Sequence, residues 1–157
     1  MAASAILTKF DAEGTFTITL ASLANSTAGV GRQSTMVSNS SDRPAALISV
    51  KLTSHASSAP TAGAVMSVYL ARDTGTLVDD GIGASDAAAT AENMPLLGTI
   101  VVTATAAKAF YGIFDTAALG PLGPTFGIVV VNSSGQALNA TEGNHACYYR
   151  LYYPEGQ

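Results

Sequence analysis

The sequence predicts an all-β fold, an antiparallel β-sandwich of about eight strands that is jelly-roll-like, with an immunoglobulin-like sandwich as the second choice. Apolar and polar residues alternate with period two along most of the chain. Turn residues separate these runs at steady spacing, and no segment shows the periodicity of a long helix. The chain has 157 residues, which suits one domain with a core of its own.

The first clear strand is predicted over 15–20, where Phe16, Ile18 and Leu20 share one face and three threonines share the other. We therefore expect an N-terminal arm over 1–14 and a single β-sandwich domain over 15–157. The other predicted strands, each with alternating or β-branched residues, are 33–38, 46–52, 64–70, 96–103, 109–115, 126–132 and 145–153.

The segment 74–95 departs from the alternating pattern. It contains Asp79, Asp80, Gly81 and Gly83, which favour turns, and it is predicted to be a long loop. One helical turn is expected over 86–92, because Ser85 or Asp86 could cap its first N–H groups.

Composition excludes several classes of function. The net charge is −4, only 11% of residues are charged, and the seven Lys and Arg residues are scattered, so nucleic-acid binding is not expected. No apolar run is long enough for a signal peptide or a membrane-spanning helix, which predicts no membrane partner and synthesis in a cytoplasm. Cys147 is the only cysteine, so the chain cannot form an internal disulfide.

No pattern of residues points to catalysis, a metal or a cofactor. His55, His145 and Cys147 do not supply the paired spacings of a zinc site. The acids of 79–86 lack the alternation of a calcium loop. The stretch 83–87 resembles a nucleophile elbow but lacks its second glycine. We therefore predict no catalytic residues, no metal site, no cofactor and no enzymatic activity.

The last predicted strand has aromatic residues on both faces. Cys147, Tyr149 and Leu151 alternate with Tyr148, Arg150 and Tyr152, so the two sets point to opposite sides of the sheet. One set is expected in the core. The set Tyr148, Arg150 and Tyr152 is predicted to contact another subunit, since Tyr and Arg are enriched at interfaces, and a sugar-stacking platform is the alternative.

The arm carries apolar residues for which the predicted sandwich has no obvious place. Ile6, Leu7 and Phe10 precede the first clear strand. They are candidate contacts to a partner, with the arm acting as a strap. A free tail or an additional edge strand is the equal alternative.

Several segments carry a resemblance to a known family. The stretch 31–41 is similar to the R-x-S-x-x-x-x-N-S-S pattern of a family of tailed-bacteriophage virion proteins, through Arg32, Ser34 and Asn39. The loop 79–88, rich in Asp and Gly, resembles a loop of the same family. Weaker similarity extends to 47–52, 68–71, 96–100, 126–132 and 135–138. The chain departs from the family in its Tyr-rich end and in having no tryptophan near Phe126.

The resemblance implies a capsid decoration (cement) protein. Such proteins are β-sandwiches that commonly sit as trimers on the outer shell of the virion. The expected partners are therefore the chain itself, as a homotrimer, and the major capsid protein, with the capsid surface of the virion as the location. A phage tail or fibre module and a carbohydrate-binding β-sandwich are the alternatives. The low charge agrees with a chain that buries surface in an assembly.

Overall fold

A computed structural model describes residues 6–156, which form eleven β-strands. The strands are β1 (Ile6–Phe10), β2 (Gly14–Thr15), β3 (Val30–Gln33), β4 (Val37–Ser38), β5 (Ala45–Thr53), β6 (Val65–Asp73), β7 (Ala87–Thr90), β8 (Leu96–Val101), β9 (Ala109–Asp115), β10 (Thr125–Ser133) and β11 (Ala146–Gly156). The helical segments among these residues are three 3₁₀ turns, Asp79–Gly81, Ala117–Leu119 and Glu142–Asn144. The start of the predicted arm, 1–5, lies outside the described residues.

The strands form two antiparallel sheets in the order of a jelly roll. The front sheet has the order β1–β11–β5–β9, with β2 following β1 alongside β11, and the back sheet has the order β7–β3–β10–β6–β8, with β4 also on β10. Eight of the strands, numbered one to eight along the chain, lie in the order 1-8-3-6 in the front sheet and 2-7-4-5 in the back sheet. These eight strands are β2, β3, β5, β6, β8, β9, β10 and β11. These orders are those of a jelly roll, so the predicted fold class is confirmed.

The strand count exceeds the predicted eight for two physical reasons. β1 and β2 are two pieces of one interrupted strand on β11, and β3 and β4 are likewise two pieces on β10. In addition, β7 adds an edge to the back sheet through its pairing with β3. The six longest strands lie where the alternating pattern predicts them, with ends that differ by up to three residues.

The predicted strand over 15–20 is largely wrong, because only Thr15 belongs to a strand. Phe16 and Leu20 are buried as the alternation suggests. However, the N–H groups of Leu20 and Ala21 donate to the carboxylate of Glu142, at 2.9 and 2.6 Å, and not to a neighbouring strand. The N–H of Phe16 still donates to the carbonyl of Cys147 in β11 at 2.9 Å, but the segment then leaves the front sheet, and its end bonds to a side chain in place of a ladder.

The core lies between the inner faces of the two sheets. Ile48 and Val50 of β5 face Ile128 and Val130 of β10, and all four are buried. Three aromatic rings close one end of this layer: Phe16 lies 5.9 Å from Phe126 and 4.9 Å from Tyr149, measured between ring centroids. Such tilted and edge-on contacts are the favourable geometries for aromatic pairs.

A second apolar cluster covers the outer face of the back sheet. Val129 and Val131 of β10 point away from the core and are nevertheless buried, since Met94, Ala89 and their neighbours lie over them. Several of the covering residues, Ile82, Ala91 and Met94, come from the predicted loop 74–95, whose strand β7 extends the edge of the same sheet. The helical turn predicted over 86–92 is therefore wrong, because 87–90 pairs with β3.

Polar side chains hold the segment 74–95 against the back sheet. Asp86 forms an ion pair with Arg32 of β3, and the amide of Gln33 donates to the carbonyl oxygens of Gly83 and Ser85. The carboxylate of Asp80 accepts hydrogen bonds from the N–H groups of residues 92–94, at 2.9 to 3.2 Å. Asp86 is thus occupied by Arg32 and does not cap a helix.

Among the residues that the structure describes, no helix has the length and apolar character needed to span a membrane.

We predict that acid weakens the fold through Asp80. Partial burial raises the pKa of this carboxyl, but hydrogen bonds from the N–H groups of 92–94 outweigh that effect and hold the pKa below its usual 3.8. A carboxyl with a lowered pKa in the folded state stabilises the protein above its unfolded pKa. This contribution is lost as the pH falls through the folded pKa. The free energy of unfolding, measured in urea, should therefore fall as the pH drops below about 4.

In Asp80→Asn this pH dependence should be weaker, and unfolding at pH 6 should cost roughly 1 kcal/mol less. Asp42→Asn is the matched control, because both residues have a positive φ, 54° and 50°, which Asn tolerates. An Asp80→Asn variant with the same acid profile as the unmodified chain would contradict the prediction.

Candidate functional site

The outer face of the front sheet leaves several large apolar side chains exposed. Tyr111 and Ile113 of β9 are 70% and 73% exposed, and Tyr148 of β11 is 38% exposed. No segment of 6–156 lies over them, whereas Val129 and Val131 on the outer face of the back sheet are buried. Exposed apolar patches of this kind are typical of interaction sites.

The register of β5 with its two neighbours arranges this face in rows. Ser49 lies between Ile113 and Tyr148, one on each side. Leu47 lies in the same way between Asp115 and Arg150. In the third row, Lys51 lies between Tyr111 and Ala146. The face is therefore apolar in its middle row and carries charges toward both ends.

A shallow depression of about 350 Å³ crosses this face. Its apolar walls are the side chains of Tyr111, Ile113 and Tyr148, and Lys51 lies among them. His145 and Ala146 line the end next to β11. A depression with aromatic walls and one cation is able to take an apolar side chain or the face of a sugar ring.

Five of the six sequence-predicted contact residues lie on this face. The rings of Phe10 and Tyr152 are 5.5 Å apart, and the guanidinium of Arg150 lies 5.9 Å from the Phe10 ring. Tyr148 follows on the same side of β11, and Ile6 shares the side of Phe10 on β1. Leu7 is the exception, since it points to the opposite side of β1.

The arm residues 6–10 form an edge strand that pairs with the end of β11. All five are exposed. Their partners run from Tyr152 to Gly156, while the last partner of β5 on β11 is Tyr152. The two strands therefore continue past the body of the sandwich as a ribbon (6–10 with 152–156). An ion pair between Lys9 and Glu155, at 2.9 Å, lies across this ribbon.

Asp115 and Tyr152 are linked across β5. The phenol of Tyr152 donates to Asp115 Oδ1 at 2.6 Å, and the N–H of Ala117 donates to the same oxygen at 2.9 Å. Burial and the hydrogen bond to Asp115 raise the pKa of Tyr152 to about 12. The phenol therefore stays protonated and holds the carboxylate in place on the exposed face.

Arg150 and Lys51 are the cations of this face, and neither has a carboxylate partner among the described residues. Among residues 6–156 the ion pairs join Lys9, Arg32, Arg43 and Arg72 to acids, and none includes Arg150. Its own strand row contains Asp115, but β5 lies between them, which separates their backbones by about 10 Å. An acid and a base, neither of them in an ion pair, thus lie at opposite sides of one apolar face.

Tyr111 and Ile113 were not among the residues predicted from the sequence. The signal was present, because in 109–115 both alternating sets are apolar: Phe110 and Phe114 on one side, Tyr111 and Ile113 on the other. The sequence-based prediction named contact residues from this pattern on the last strand and not on 109–115. The structure shows that Phe110 and Phe114 pack on the core and that the other pair is exposed.

The residues examined for metal chemistry have structural roles. Nδ1 of His145 accepts a hydrogen bond from the N–H of Thr53 at 3.2 Å, and Nε2 donates to the carbonyl of Asn139 at 3.0 Å. Cys147 is in the core, where burial raises the pKa of its thiol to about 12. Within 6–156, no group of three or more His, Cys, Asp or Glu side chains is placed to hold a metal ion.

The residues that carry the family resemblance also fasten loops. Arg32 pairs with Asp86. The hydroxyl of Ser34 accepts a hydrogen bond from the N–H of Ile128 at 3.1 Å. The amide of Asn39 donates to the carbonyls of Arg43 and Gly123, at 2.9 and 3.0 Å. The pattern is therefore a requirement of the fold and not a set of ligand-binding groups.

Comparison of the chain with protein-family models gives no match, and comparison with curated proteins gives none either.

We predict that one of the six tyrosines, Tyr152, ionises near pH 12, when titrated by its absorbance at 295 nm. Removing the acceptor charge in Asp115→Asn should lower this pKa toward 10, because the phenolate then no longer faces a carboxylate. A raised pKa stabilises the folded state below the unfolded value and ceases to do so above the folded value. The stability that Tyr152 contributes is therefore lost between about pH 10 and pH 12.

Tyr152→Phe is the control for this assignment. It should remove the late step and leave the rest of the titration curve unchanged. A late step that persists in Tyr152→Phe would assign the raised pKa to another tyrosine.

Proposed function

We propose that this protein is a structural component of a tailed-bacteriophage virion, a capsid decoration protein that self-associates, as a trimer, and binds the outer shell. The observation that carries the proposal is the exposed apolar face of the front sheet, beside a back sheet whose outer face the chain covers itself. The resemblance through Arg32, Ser34, Asn39 and the loop 79–88 supports the virion as the place of assembly.

The fold suits such a role. A jelly roll is a rigid scaffold that offers broad sheet faces and strand ends for contacts, and here the outer face of the front sheet is open. The described residues pair their buried side-chain nitrogen and oxygen atoms internally. The open face presents apolar side chains, the acid Asp115 and the bases Arg150 and Lys51, which are groups that protein interfaces use.

Binding would stabilise the capsid by mass action. A protein that binds the assembled shell and not its separate subunits lowers the free energy of the shell by an amount that grows with its concentration. An oligomer that touches several shell proteins at once gains further through its high effective concentration. No catalytic step is needed for this function.

The ribbon is the second surface that we assign to the proposal. Ile6 is 74% exposed and Leu7 is 43% exposed, and they point to opposite sides of β1, so both sides of the ribbon offer an aliphatic side chain. The ribbon continues past β5, which lets it reach a neighbouring surface while the sheet faces are engaged elsewhere.

A carbohydrate-binding domain is the second candidate, and the depression between Tyr111 and Tyr148 is the observation that favours it. Aromatic rings on either side of Lys51 could stack on a sugar and bind its hydroxyl groups. In that case a glycan would bind the isolated chain, and Tyr148→Ala would weaken the binding.

The proposal predicts that the purified chain sediments with undecorated capsids built from the major capsid protein encoded with it. In the double variant Ile6→Asp, Leu7→Asp, capsid affinity should fall by about tenfold or more, since fully burying one aliphatic side chain contributes about 1.5–3 kcal/mol. Bound fraction is measured against protein concentration in the pellet.

Leu77→Asp is the matched control, because Leu77 is 74% exposed, as Ile6 is, but lies in the loop 74–95. It should bind as the unmodified chain does. A chain that remains in the supernatant with capsids at all concentrations would contradict the proposal, and a glycan array would then test the second candidate.

A further inference from the structure

We propose that the outer face of the front sheet joins copies of this chain in a closed ring whose axis runs parallel to the strands. The β9 half of the face (Tyr111, Ile113 and Asp115) of one copy packs on the β11 half (Tyr148, Arg150 and Tyr152) of the next. This inference rests on the proposed function only in taking a second copy as the partner. It adds which surface the copies share, how neighbouring copies are oriented, and that Asp115 pairs with Arg150.

The rows of residues across this face determine how neighbouring copies are oriented in the ring. β9 and β11 both run antiparallel to β5, so they are parallel to each other. Rotation about an axis parallel to the strands keeps every residue at its own height. Ile113 of one copy therefore meets Tyr148 of the next, and Asp115 meets Arg150, because each pair already shares a row.

The two halves are complementary in size as well as in height. In the row of Lys51, the large Tyr111 meets the small Ala146. This is the row where the depression of about 350 Å³ lies, and the ring of Tyr111 from the next copy has the shape to enter it. Large side chains opposite small ones allow two sheet faces to interdigitate.

Charge complementarity favours a second copy over an unrelated partner. Arg150 has no acid partner within residues 6–156, and Asp115 is exposed on the same face with its position set by Tyr152 and Ala117. Within one copy β5 keeps them apart, whereas the ring brings each Asp115 to an Arg150. An ion pair through the remaining oxygen of Asp115, formed at every contact, satisfies both charges.

The ring also brings together the Lys51 side chains of its copies, which carry the same charge and must be kept apart. Lys51 lies on β5, the strand nearest to the axis, two residues before the end of the strand. Its long side chain can extend toward solvent at that end of the ring while the stem stays against Tyr111.

A charge exchange tests the contact directly. In Arg150→Glu and in Asp115→Arg, the dissociation constant of the oligomer, measured by sedimentation equilibrium, should rise by about tenfold or more, since like charges then face each other. In the double variant Arg150→Glu, Asp115→Arg, each contact regains an opposite pair, and the dissociation constant should return to within about threefold of the unmodified chain.

Two further variants separate this contact from damage to the fold. Asp115→Asn keeps an acceptor for the N–H of Ala117 and removes only the charge, so it should weaken the oligomer less than Asp115→Arg. Ile113→Glu should dissociate the oligomer, while Leu77→Glu, at the same exposure, should not. Circular dichroism and thermal unfolding of each variant establish that the sandwich is intact.

The outcomes distinguish this inference from the proposed function. A folded double variant that stays dissociated, or single variants with unchanged mass, would overturn the contact. A monomeric chain that still sediments with capsids would overturn the contact and leave capsid decoration standing, with the shell as the occupant of this face. A glycan that binds the isolated monomer at this face would overturn the contact and capsid decoration together.

Discussion

Strand β10 must be buried on both faces, and the rest of the structure depends on this constraint. Its side chains alternate between Ile128 and Val130, which face the core, and Val129 and Val131, which face away from it. Burying one such side chain is worth about 1.5–3 kcal/mol, so leaving the second pair in water would be costly. Residues of the loop 74–95 cover this second pair, and the contacts of Arg32, Asp80 and Asp86 hold the loop in place.

The front sheet has the same kind of two-faced strands but no such layer among the described residues. β9 and β11 place Phe110 and Tyr149 toward the core and Tyr111 and Tyr148 toward the outside. The chain thus covers the outer face of the back sheet itself and leaves that of the front sheet exposed. This difference between the two sheets is the basis of the proposed assembly function.

The sequence predicted the long strands because period-two alternation reflects a sheet with one face in the core, a local property. The prediction failed where a contact with a residue distant in the sequence determined the local structure. The N–H groups of Leu20 and Ala21 donate to Glu142, which lies more than a hundred positions away, and Asp86 binds Arg32 in place of capping a helix. Tyr111 and Ile113 were missed for a related reason: alternation shows that both faces of β9 are apolar, but only the topology shows which face stays uncovered.

The proposed self-association and the proposed capsid binding are compatible, because they would use different parts of the molecule. A ring about an axis parallel to the strands would bury the outer face of the front sheet and leave the strand ends free. The ribbon of β1 with 152–156 extends from one of those ends, beyond the last partner of β5. Phe10 and Tyr152 join the two regions, since their rings lie where the ribbon leaves the face. The proposed ring would therefore point its ribbons in one direction along the axis, and several weak ribbon contacts to one shell surface would add up to firm attachment.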